Sequence, residues 1–155
     1  MERIEHRQSP GAGLRAYQLQ QVLDIIDARL AEPIQVAELA AAAHLSPFHF
    51  SRMFKKSTGH APHAYITTRR MELARRLLAS NDFSLAEIAT RVGYQTQAHF
   101  TDVFRKHVGA TPGAYRRNGR ERLRSSALHA VAQVSNVAPT APSSPSPETL
   151  QPANP

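Results

Sequence analysis

Phe48, Ser51, Arg52 and Lys55 recur at spacings of three and four, which places them on one stripe of a helix. Their types suit the edges of nucleic-acid bases. An arginine guanidinium holds guanine by two hydrogen bonds, an aromatic ring meets a thymine methyl, and a serine hydroxyl bonds a base or a phosphate. A polar helix face is ordinarily only a solvated face, but a large aromatic on the wet side, in line with two cations, needs a further reason. Fifty residues on, Gln97, Ala98, Thr101, Asp102 and Arg105 form a matching stripe. Gln97 suits adenine, and Ala98 or Thr101 suits a thymine methyl. Asp102 stands where the first stripe has Arg52. It can accept from cytosine N4 or pair with Arg105, and the surface pair is the favoured reading. Lys55, Lys56, Arg105 and Lys106 lie further along the two helices, where phosphates run. Ser46 and Thr96 stand at the two helix starts, and His49 and His99 at the edge of each stripe, within reach of a phosphate or a base.

Other chemistries find no residues to carry them. The chain has no cysteine, so thiolate zinc sites, cysteine nucleophiles and disulfides are excluded. Its eight histidines have no carboxylate or thiolate cluster beside them, so no metal and no cofactor is expected. G-x-S-x-G, H-E-x-x-H and P-loop patterns are all missing, and no catalytic residue is assigned. The 155 residues hold 19 Lys and Arg against 12 Asp and Glu, a net charge of +7. Residues 47–125 alone hold fifteen against five, a local balance of +10. That field calls for a polyanion, either nucleic acid or an anionic membrane surface. The membrane is the poorer choice, because the first helix has mixed charge on its polar side and an apolar stripe with a core to join. No run approaches the ~20 apolar residues of a spanning helix, and the first residues lack the apolar core of a signal peptide, so a cytoplasmic location is expected.

The elements that must hold these stripes are all helical. Leu19, Val22, Leu23, Ile26 and Leu30 recur at helical period up to Pro33, and Val36, Leu39, Ala40 and Ala43 mark a short second helix. Ser46-Pro47 is a start signal for a third, which stops at Gly59. Pro62 opens a longer fourth, Ser84 to Glu87 is a capping box for a fifth, Thr96 caps a sixth that ends at Gly109, and Thr111-Pro112 opens a last short one. Phe50, Met53 and Phe54, and likewise Phe100, Val103 and Phe104, are the expected buried sides of the third and sixth helices. A flexible arm is expected over 1–15. Residues 118–155 read as a basic stretch, weakly helical at most, followed by a Pro/Ser/Ala-rich disordered tail.

The chain repeats itself. Shifted by 50, residues 47–66 match 97–116 at eight of twenty positions, among them Phe50/Phe100, Phe54/Phe104, Gly59/Gly109 and Tyr65/Tyr115. Upstream the offset is 49, as in Glu38/Glu87 and Ala40/Ala89, so one extra residue enters the second turn near Gly93-Tyr94-Gln95. The expected fold is therefore all-α, about seven helices in two homeodomain-like three-helical units. Each carries a helix-turn-helix, about 34–58 and 84–108, and a linker helix at about 62–79 joins them.

Two stretches carry a more specific likeness. LSPFHFSRMFKKSTGHAPHAYI and IATRVGYQTQAHFTDVFRKHVGATPGAYRR are similar to the two motifs of the AraC/XylS family of bacterial transcription regulators, the second through I-A, V-G-Y, the spaced phenylalanines, G-x-T-P and Y-R. About 16–117 resembles the family's DNA-binding domain, in the layout of its stand-alone members. The resemblance implies a monomer with two recognition helices in successive major grooves of double-stranded promoter DNA. It also implies activation through RNA polymerase and a place in the bacterial cytoplasm, associated with the nucleoid. It assigns base contacts to Phe48, Ser51 and Arg52, then to Gln97, Ala98, His99 and Thr101. Asp102 departs from the arginine often found there, so the second helix is expected to supply mainly affinity and register. No small-molecule effector site is evident. DNA-repair alkyltransferases carry a related domain, but their chemistry needs a cysteine. The alternative function is a non-specific architectural DNA binder.

Overall fold

The computed structural model describes residues 13–134, and among them every regular element is a helix. In chain order these are α1 (Ala16–Ala28), α2 (Val36–Ala42), α3 (Pro47–Thr58), α4 (Pro62–Ser80), α5 (Leu85–Arg91), α6 (Gln97–Val108) and α7 (Pro112–Val134). The chain divides into two compact units, residues 1–119 and 120–155. The first is all-α and holds two helix-turn-helices, α2–α3 and α5–α6.

Local chemistry sets the helix ends. Ser46 and Thr96 accept the backbone N–H of His49 and His99 at 3.3 and 3.2 Å, so α3 and α6 both begin on a side-chain cap. Ser84 and Glu87 cap α5 reciprocally, with Glu87 N–H on the Ser84 hydroxyl at 3.2 Å and Ser84 N–H on the Glu87 carboxylate at 2.8 Å. α3 and α6 end on Gly59 and Gly109, each donating back to the carbonyl four residues earlier.

Two cores form, one per repeat. Val22, Ile26, Leu39, Ala40, Phe50, Phe54 and Ile66 are buried in the first, and Met71, Ala74, Leu78, Ile88, Ala89, Phe100 and Phe104 in the second. The two halves of α4 thus serve different cores, and Leu73 packs against both. The aromatic packing repeats as well. Phe50, Phe54 and Tyr65 pack in sequence, tilted and then edge-to-face, with 5.4 Å between successive ring centroids; Phe100, Phe104 and Tyr115 do so at 5.6 Å. The repeat seen in sequence is therefore a repeat of packing. One buried polar group closes the first unit: Gln18 donates to the carbonyl of Ala43 at 2.7 Å and so seats α1 on the first turn.

Two sequence expectations change. Met53 and Val103 are half-buried, while their phenylalanine neighbours are fully buried; the third position of the stripe falls at the boundary between core and water. The last helix is not short: residues 118–134, read from sequence as a basic stretch extending a helix weakly at most, belong to α7. Residues 120–131 are all exposed. Their Arg, Leu, Ala and Glu are good helix formers, so intrinsic propensity favours the helix where burial does not. The Pro-rich tail and the arm up to residue 12 lie outside the described residues.

Candidate nucleic-acid interface

The buried faces of α3 and α6 are complete without their outer stripes. On α3 the outer stripe holds Phe48, 74% exposed although it is apolar. The Arg52 guanidinium lies over its ring, 5.9 Å from the centroid, an exposed cation–π pair one turn apart. Ser51 donates its hydroxyl to the carbonyl of Pro47 at 2.9 Å, which leaves its lone pairs outward. Lys55 and Lys56 are exposed at the C-terminal end of α3, and His49 is half-buried. Phe48, Ser51, Arg52 and Lys55 thus share one face, with the aromatic and the arginine already assembled.

The stripe on α6 is built differently. Gln97, Ala98 and His99 are exposed in its first turn, and Thr101 is half-buried. Asp102 faces Arg105 at 3.7 Å, both side chains more than 60% exposed, a loose surface pair of the kind favoured from sequence. Where α3 carries Phe48 and Arg52, α6 therefore carries Ala98 and a carboxylate partly neutralised by Arg105. Lys106 is exposed one position on. The His99 ring meets Tyr94 edge-on with centroids 5.2 Å apart, which ties the stripe of α6 to its own turn. Ser46 and Thr96 use their hydroxyls as helix caps, so any phosphate contact shares those groups with the cap.

Several cations of the positive field already have partners within the chain. Arg69 makes a two-pronged pair with Asp27, both contacts at 2.9 Å, and reaches Glu72 at 2.8 Å. Arg91 sits 4.0 Å over the Phe83 ring, and Arg116 donates to the Phe83 carbonyl at 2.7 Å. Arg70 donates from Nε to the carbonyl of Leu30 at 3.0 Å and from Nη2 to that of Glu32 at 2.7 Å. Counting charge along the sequence could not separate these from the outward cations. Arg75, Arg76 and Arg117 are exposed with Arg52, Lys55, Lys56, Arg105 and Lys106.

Among the described residues no group of three His, Cys, Asp or Glu is placed to hold a metal ion. None of their helices is long and apolar enough to cross a membrane. A cleft of about 710 Å³ lies between the two helix-turn-helices, bordered by Ile34, Ile66, Thr67, Arg70, Tyr94 and His99 among others.

Two helix-turn-helices on one shared helix, each with a polar stripe outside a complete core, define a tandem helix-turn-helix DNA-binding domain. Comparison with known proteins agrees. A family model described as a helix-turn-helix domain matches residues 39–118. The regulatory protein PocR of Salmonella typhimurium is 38% identical over 98 residues, 63% of this chain and 32% of PocR. The multiple antibiotic resistance protein MarA of Escherichia coli is 33% identical over 102 residues, 65% of this chain and 80% of MarA. Among solved structures, the DNA-binding domain of AdpA in complex with a target DNA superposes with a TM-score of 0.65 at 36% identity, covering 68% of this chain and 95% of that one. The chain belongs to the AraC-type family of helix-turn-helix transcription regulators. It spans about a third of the length of several curated relatives, PocR among them, and most of the length of MarA.

Proposed function

We propose that this protein is a sequence-specific DNA-binding transcription regulator that reads promoter DNA with α3 and α6. It binds as a monomer, with the two recognition helices in successive major grooves, and acts as an activator through RNA polymerase in the bacterial cytoplasm. The observation that carries this reading is Phe48: a large apolar ring left in water on a helix whose core face is complete, with Arg52 laid over it. The relatives' regulatory roles and AdpA's bound target DNA support it. Base contacts fall to Phe48, Ser51 and Arg52, and on α6 to Gln97, Ala98, His99 and Thr101. Lys55, Lys56, Arg105 and Lys106 take phosphates. No step in this reading makes or breaks a covalent bond.

Selection of sites from a random DNA pool, followed by titration against random competitor at fixed salt, tests it. One extended, asymmetric site bound at least a hundredfold tighter than random DNA is expected, in line with the span of specific over non-specific affinity. A palindrome would point to a dimer. Equal affinity for the selected and random sequences would make the protein an architectural binder instead. On a template carrying the selected site, added protein should raise transcription by RNA polymerase.

A further inference from the structure

Arg70 sits in the middle of α4, between the residues that α4 gives to one core and those it gives to the other. It is half-buried, and its guanidinium touches both helix-turn-helix units. Toward the first, it donates to the carbonyls of Leu30 and Glu32, in the segment that joins α1 to α2. Toward the second, its Cζ lies 5.6 Å from the centroid of Tyr94, in the turn between α5 and α6. Burial pushes the Tyr94 phenol above its usual range while Arg70 opposes that shift, as expected for a cation held close to the ring.

Gly93 shows how closely the two units meet. Its φ is +83°, and a Cβ there would lie 2.6 Å from the Leu30 carbonyl oxygen and 2.8 Å from the Arg70 guanidinium. The repeat supplies a control within the same molecule. The matching residue of the first turn is His44, which also has positive φ, at 55°, but is exposed and carries a full side chain. The turn geometry alone therefore does not demand glycine; the contact does. The two turns match through Leu45 and Tyr94, whose N–H groups bond the carbonyls of Ala40 and Ala89. Gln95 is then the extra residue, and it falls directly after the Arg70 contact. Arg70, Gly93, Tyr94 and Gln95 also border the 710 Å³ cleft.

We propose that Arg70, seated against Gly93 and Tyr94, is a positioning residue: a clasp that fixes the two helix-turn-helix units relative to each other and so restricts the protein to one spacing between its two DNA boxes. Tyr94 passes the constraint to α6 through its edge contact with His99. The inference rests on the DNA-reading function proposed above. A second box displaced by two base pairs moves about 7 Å and turns about 70° around the duplex, which a clasped pair cannot follow.

Two measurements test it. The chain has no cysteine, so spin labels can be placed at Ala41→Cys and Ala86→Cys, both exposed, on α2 and α5. With Arg70 in place, one narrow distance distribution is expected; Arg70→Ala should broaden it. In parallel, affinity is compared on the selected site and on the same site with two base pairs inserted between boxes. The unaltered protein should lose at least about tenfold on insertion, and Arg70→Ala less than about threefold. If Arg70→Ala does not fold, Tyr94→Leu replaces it, since leucine is what the first turn carries at that place. An unchanged distance distribution, or an unchanged insertion penalty, in the variant overturns the clasp and leaves the DNA-reading function standing. Absence of any preferred site in the unaltered protein overturns that function instead, while the spin labels still report whether Arg70 holds the units together.

Discussion

In the proposed reading Arg52 has little left to order on meeting a base, because Phe48 already holds its guanidinium on the outer face of α3. A bidentate contact with guanine discriminates against the wrong base, whereas a lysine on phosphate does not. Arg52→Ala is therefore expected to weaken binding to the preferred site by about 1–3 kcal/mol and to relax one base position. Lys56→Ala is expected to weaken all sequences alike. Fluorescence anisotropy on a panel of single-base variants separates the two, and equal losses on specific and random DNA for both would remove Arg52 from base reading. That these side chains share a helix face was legible from sequence, because a helical stripe follows from spacing alone. What spacing could not give is the state of each group: Ser51 bonded to its own backbone, His99 edge-on against Tyr94, Asp102 facing Arg105.

At the scale of the element, α5 is a two-turn helix whose start depends on the reciprocal bonds of Ser84 and Glu87. The backbone bond from Ser84, then its side-chain bond, holds the Glu87 carboxyl below the usual carboxylate range. A carboxylate depressed in the folded state stabilises the fold fully above its unfolded value and loses that contribution as pH falls through its folded value. Glu87→Gln keeps a capping-box residue but cannot titrate. Thermal melts across the acid range should therefore show the unaltered protein falling more steeply than the variant, and the gap between them closing at the acid end. Parallel curves would mean that Glu87 contributes no pH-dependent stability. The caps were readable in the sequence because they are local hydrogen bonds. The true end of α7 was not, since residues 120–131 are exposed and pack on no core that would mark how far the helix runs.

At the scale of the molecule, charge is the relevant quantity. Residues 47–125 carry fifteen Lys and Arg, and if all met phosphate the logarithm of the binding constant would fall against the logarithm of salt with a slope of about −13.5. Arg69, Arg70, Arg91 and Arg116 are engaged by other groups of the protein. The measured slope is expected to be well short of that value, and Lys56→Ala to reduce it by about one. A slope near the full value would show that these cations leave their partners for phosphate on DNA.

The sequence by itself determined where the helices start, their side-chain caps, the repeat, which side chains share the outer stripes of α3 and α6, and the family. Each of these is written in local spacing or in residue types that one turn of chain can read. Only the tertiary structure decided which cations serve the fold and which face outward, because an arginine's partner lies tens of residues away: Arg69 to Asp27, Arg70 to Leu30 and Glu32. It also decided what the extra residue of the second turn accompanies. The offset change near Gly93 was visible as arithmetic, but its meaning lies in a carbonyl from the first unit, brought by folding to the place where any Cβ would stand.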